Sequence, residues 1–144
     1  METILSNGNL TTKISAPLKT VFDVSRNIEI HQQSAAPSKE KAIAGVTSGL
    51  ISLNETVTWR GKHFGFYLTH KSRITAMTFD DYFVDEMEEG KFKSFRHEHF
   101  FEEKNGVTIM TDQLQYETPF SIIGKLFDAL FLKKHLIGFL IVRN

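Results

Sequence analysis

From Leu50 to Glu117 the hydrophobic period of the chain is two, and no other property of the sequence narrows the fold so far. Leu53, Glu55, Val57 and Trp59 alternate with Asn54, Thr56, Thr58 and Arg60. Phe64, Phe66, Leu68 and His70 alternate with Gly65, Tyr67, Thr69 and Lys71, and Ile74 continues the first set. Successive side chains of an extended strand leave opposite faces, so each set is one face of a strand. Phe79 to Met87 and Phe92 to Glu102 make a hairpin about a turn at Glu88-Glu89-Gly90. Asn105-Gly106 is a tight-turn signal ahead of a last strand, Val107 to Tyr116. Turns this regular predict an antiparallel meander rather than βαβ units.

The flanks have another rhythm. Leu10, Thr12 and Ile14 alternate as a first strand. Pro17 suits the first position of a helix, and Leu18, Val21 and Phe22 follow at helical spacing. That helix breaks near Asn27, and Ile28 to Ser34 forms a second short one. Ala35 to Gly49, with Pro37, Gly45 and Gly49, reads as a loop placed to cover or gate something. Pro119 closes the sheet. Beyond it Phe120, Ile123, Phe127 and Leu130, then Ile137 and Ile141, form the apolar stripe of a long C-terminal helix. The expectation is one α+β domain over residues 1–144.

At 144 residues the chain is long enough to close a core. Its 17 basic and 17 acidic residues balance, which removes the electrostatic case for nucleic acid or an anionic membrane as partner. It has no cysteine, hence neither disulfides nor thiolate chemistry. The opening METILSNGN lacks the basic and apolar regions of a secretory signal. No uncharged apolar run approaches the roughly 18 residues of a membrane span. The expectation is a soluble cytoplasmic protein without stable membrane insertion.

The chemistry concentrates in one strand, where Phe95, His97, His99 and Phe101 share a face. Residues two apart on a strand stand roughly 6.5–7 Å apart, within reach of one small ligand. A zinc site would need a further ligand, from Asp85 across the hairpin or from Glu55 and His70 on the other side. No dedicated metal-binding spacing such as HExxH is present, and the expected content of metal and cofactor is none. If the apolar members of each strand face inward, Glu55 and His70 join them. Two strands leave the choice open: Phe83, Asp85 and Met87 against Tyr82, Val84 and Glu86, and Asp112, Leu114 and Tyr116 against Ile109, Thr111 and Gln113. A carboxylate buried alone is costly, so any inward one is neutral, paired or wet. Trp59, Phe64, Phe66, Phe95 and Phe101 supply core, or the walls of a cavity beneath the C-terminal helix.

Four phrases carry a resemblance: SGLISLNETVTWRGKHFG from Ser48 to Gly65, YFVDEM from Tyr82 to Met87, FKSFRHEHFFE from Phe92 to Glu102, and TDQLQYETPF from Thr111 to Phe120. With the order of elements, they resemble the START / polyketide-cyclase / ligand-binding (SRPBCC) superfamily, in particular a subgroup of small stand-alone bacterial members of uncharacterised function. The resemblance implies a helix-grip fold: seven curved antiparallel strands, one more than the pattern places, wrapped around the C-terminal helix over a cavity for an apolar ligand. It favours the Asp85 and Asp112 faces, since the subgroup's last strand usually carries an aspartate where Asp112 stands. The apolar ending HLIGFLIVRN departs from the subgroup's polar one and marks a contact surface.

The resulting expectation is a binding module for a small, largely hydrophobic molecule, lipid-, polyketide- or isoprenoid-like. Its ligand-binding residues would be Glu55, Trp59, Phe66, His70, Asp85, Phe95, His97, His99, Asp112 and Tyr116. The alternatives are a cyclase- or hydrolase-type enzyme using the same imidazoles and carboxylates, and an interaction protein, homodimeric through Phe131 to Ile141.

Overall fold

The structure, a computed structural model, describes residues 2–6, 9–35, 39–63 and 65–117, with the backbone alone over 2–6. Eight strands and two short helices follow in the order β1 (Glu2–Ser6), β2 (Asn9–Ile14), α1 (Leu18–Ser25), α2 (Ile28–Ser34), β3 (Lys41–Gly45), β4 (Thr56–His63), β5 (Phe66–Thr78), β6 (Tyr82–Glu89), β7 (Ser94–Lys104) and β8 (Val107–Glu117). One antiparallel sheet takes them in the order β1-β2-β8-β7-β6-β5-β4-β3. The meander from β3 to β8 is thus laid down strand by strand, and β2 joins its far side. The sheet is curved. Register shifts at Ala42/Ala44, Lys71/Ser72 and Ile74/Ala76 mark the β-bulges at which strands bend. The long C-terminal helix expected from Phe120 to Ile141 lies outside the described residues.

The two helices form where the pattern puts them. Pro17 stands at the N-cap of α1, one residue before the predicted helical position. The Asn27 side chain accepts a hydrogen bond from the Ile30 amide at 3.0 Å, which stops one helix and starts the next. Phe22, fully buried on α1, meets Phe83 and Phe101 of the sheet with ring centroids 5.7 and 5.2 Å away. Val21, Ile28, Ile51, Val57, Trp59, Ile74 and Met110 complete that core. Arg26 ends α1 with its guanidinium buried. It donates to the Ile51 carbonyl at 3.0 Å, pairs with Asp23, and lies 5.2 Å from the centre of the Phe79 ring.

Two stretches depart from expectation. Residues 41–45, inside the segment read as loop, add an edge strand to β4. They are short, small and only partly alternating, and backbone pairing forms the strand where side-chain pattern could not announce it. Gly45 has a φ of +74°, and a Cβ there would stand 2.2 Å from the Thr56 carbonyl oxygen, so this close approach excludes any side chain. At the other border β1 forms a hairpin with β2. The Asn105-Gly106 turn is as predicted, both residues holding the positive φ (53° and 77°) of a type I′ hairpin.

Candidate functional site

Register decides which side chains meet. On β7, His97 is opposite Asp85 of β6 and Leu114 of β8, and His99 is opposite Phe83 and Asp112. Both alternatives left open by the sequence therefore resolve to the faces that carry Asp85 and Asp112. The contacts themselves run diagonally as well as straight across. His97 Nε2 is 2.7 Å from Asp112 Oδ1, and His99 Nδ1 is 3.1 Å from the same oxygen. His99 Nε2 is 2.8 Å from Asp85 Oδ2. The two imidazoles stack with centroids 3.8 Å apart, and Phe83 stacks on the far side of His99 at 4.2 Å. His97, His99 and Asp112 are buried, while the Asp85 side chain keeps 22% of its surface exposed.

The electrostatics follow from this crowding. Burial alone would raise the Asp112 carboxyl. Hydrogen bonds from His97 and His99, with their charge, outweigh burial and hold it well below the usual carboxylate range. Burial alone would likewise lower His99, but its bonds to Asp112 and Asp85 prevail and hold the imidazole above its ordinary value. An ionised carboxylate only accepts, so the ring nitrogens facing Asp112 are the donors. The four residues form a paired buried network rather than two isolated acids.

Beside it lies a half-buried ring cluster. His70 sits edge-on to Phe95 at 5.1 Å, and Phe92 packs on Phe95 at 5.0 Å and on Tyr116 at 5.7 Å. Burial pushes His70 below its ordinary value, against the opposing pull of Asp85 and Glu40, so at neutral pH its imidazole is uncharged. Trp59, the strand partner of His70, belongs to the main core, with its ring 4.1 Å from that of His31 on α2. His31 Nε2 is 2.6 Å from Glu40 Oε1, and His63 Nε2 is 3.9 Å from Glu40 Oε2.

Of the predicted residues, then, Asp85, His97, His99 and Asp112 come together, and His70, Phe95 and Tyr116 gather next to them. Two are corrected. Glu55 precedes β4 and is exposed, its carboxylate accepting from the Ser52 amide at 2.8 Å in the turn before the strand. The alternation read through it begins only at Thr56. Phe66 opens β5 at the tip of a hairpin and is 70% exposed, because the face it belongs to runs past the core there. Sequence reasoning missed Phe92, His31, Glu40 and His63. For His63 the signal was available: it stands in step with Val57 and Trp59. Nothing local tied Glu40 to histidines that lie nine residues before it and on β4.

The architecture is START-like. No protein-family profile matches the chain, and no curated protein matches it by sequence. Solved structures do match. A START superfamily protein from Mycobacterium smegmatis superposes with a TM-score of 0.71 at 13% identity, over 94% of this chain and 91% of its own. TTHA0849 from Thermus thermophilus gives 0.71 at 15% identity, over 94% and 92%. Major latex-like protein 151 from ginseng (Panax ginseng) gives 0.67 at 16% identity, over 94% and 89%. Likeness at such identities is likeness of fold, the START-like (SRPBCC) fold to which the sequence phrases pointed. Among the described residues no helix is long and apolar enough to cross a membrane.

Proposed function

We propose that the chain is a single START-like domain that binds a small, largely hydrophobic molecule against the inner face of its sheet. The observation that carries this reading is the pairing of a half-buried ring cluster, His70, Phe92, Phe95 and Tyr116, with a buried imidazole–carboxylate network next to it. Rings supply apolar contact area, and a few fixed polar groups supply orientation. An uncharged His70 offers a hydrogen bond to a hydroxyl or carbonyl without imposing a charge on an apolar ligand.

The acid–base alternative has less support. His99 has a carboxylate on each ring nitrogen, which suits a structural ion pair better than a general base awaiting a proton. The test is native mass spectrometry of the protein purified from its own cells. An added mass that survives in Trp59→Phe and is lost in Phe95→Ala is the expected result. A bare chain that also fails to take up an apolar fluorescent probe would sink the binding reading.

A further inference from the structure

We propose that Asp85, His97 and His99 form a site for a divalent first-row transition metal, with Asp112 as the outer acceptor that orients both imidazoles. One ligand atom from each of the three lies within 4.8 Å of the others. An ion bound at 2.0–2.2 Å in tetrahedral geometry would hold its ligands about 3.4 Å apart, so the His99–Asp85 pair, now at 2.8 Å, opens slightly to admit it. Asp85, the most exposed of the set, is the side chain with room to move and the side from which an ion enters.

The second support is the outer shell. Ligating histidines characteristically give their other ring nitrogen to a carboxylate, which sets ring orientation and tautomer. Here one buried oxygen, Asp112 Oδ1, receives a nitrogen from both rings. The opposite nitrogen of His99 is thereby aimed at Asp85, and an ion bound there takes the place of the proton between them. The third support is charge. A divalent cation bound there would take over the charge balance that the imidazole N–H groups now give the two carboxylates in this largely buried setting. Two imidazoles and one carboxylate suit zinc, iron, cobalt or nickel, and leave coordination positions open to water or a ligand.

The site and the apolar-ligand reading stand apart, since either can fail alone. The cluster of His31, Glu40 and His63, also two imidazoles and a carboxylate, serves as an internal control. Untagged protein is stripped with chelator, titrated with Co²⁺ and followed by visible absorption. The expected result is saturation at one equivalent, with the intense bands of a four- or five-coordinate ion and their displacement by Zn²⁺. Asp112→Asn should weaken Co²⁺ binding ~10–100-fold, as loss of an outer partner does. Asp85→Asn, which removes a ligand, should weaken it more, and it decides the matter should the Asp112 variant not fold. Absence of the bands, bands unchanged in Asp85→Asn, or bands lost in Glu40→Gln instead would each overturn the proposal.

Discussion

Asp112 and Glu40 each face two imidazoles, one in the middle of the sheet and the other near its border, and the settings make the same chemistry behave differently. Asp112 lies on β8 between paired strands, 1% exposed, and both of its histidines come from the neighbouring strand β7. Glu40 lies just before the edge strand β3 and reaches His31 on a helix and His63 at the end of β4, all three side chains keeping some contact with solvent. The central group is held by backbone register on both sides. The border group depends on how a short helix and a short strand happen to meet. Burial therefore makes the first an obligatory pairing and leaves the second an adjustable one.

The sharpest way to break this contrast is Asp112→Asn, which leaves two buried imidazoles without their anionic acceptor. It should cost about 3–5 kcal/mol in urea unfolding. A loss under about 1 kcal/mol would mean that the network holds nothing together.

Titration gives the next largest effect. Asp112 is held below its usual 3.8, so its contribution to stability is present above that pH and is lost as the pH falls through the depressed value. His99 is held above 6.5, so its contribution is complete below pH 6.5 and is lost as the pH rises through the raised value. His70, pushed below 6.5 by burial, acts in the opposite sense and lowers stability as the pH drops beneath 6.5. His70→Gln should unmask the network: melting temperature highest between pH 4 and 6.5 (about the ordinary Asp and His values) and falling on either side. Adding Asp112→Asn should flatten both slopes, and slopes that persist would place the titrating groups elsewhere.

Glu40→Gln should cost least, about 1 kcal/mol, since Gln keeps an acceptor for His31. Its effect should be local: faster hydrogen exchange at the Ala42 amide, which bonds the Gln32 side chain between α2 and β3. Global destabilisation equal to that of Asp112→Asn would erase the distinction between centre and border.

Much of the central region was legible beforehand. Phe95, His97, His99 and Phe101 alternate, and Asn105-Gly106 fixes the β7–β8 register by its own turn geometry, so the approach of Asp112 to His99 is a counting result. Asp85 was harder, because Tyr82 to Met87 carries apolar residues on both faces; Phe83 and Val84 are both buried. The resemblance to START-like proteins chose between the two faces. At the border the sequence falls silent for a physical reason. Lys41–Gly45 is small and mostly exposed, and its strand character comes from hydrogen bonds to β4. Glu55 and Phe66 illustrate the converse, where an alternating pattern runs on past the residues that the core can bury.

Among the described residues the sheet ends in β1 on one side and β3 on the other, each a rim strand with a single strand neighbour. Unsatisfied amides along such a rim invite a foreign strand, the first step towards stacking into fibres. The β3 rim is ill suited to that role: it is five residues long, opens with a lysine, is broken by the bulge near Ala42, and ends in a left-handed glycine. The irregularity that hid this strand in the sequence thus also guards the protein against polymerising through it.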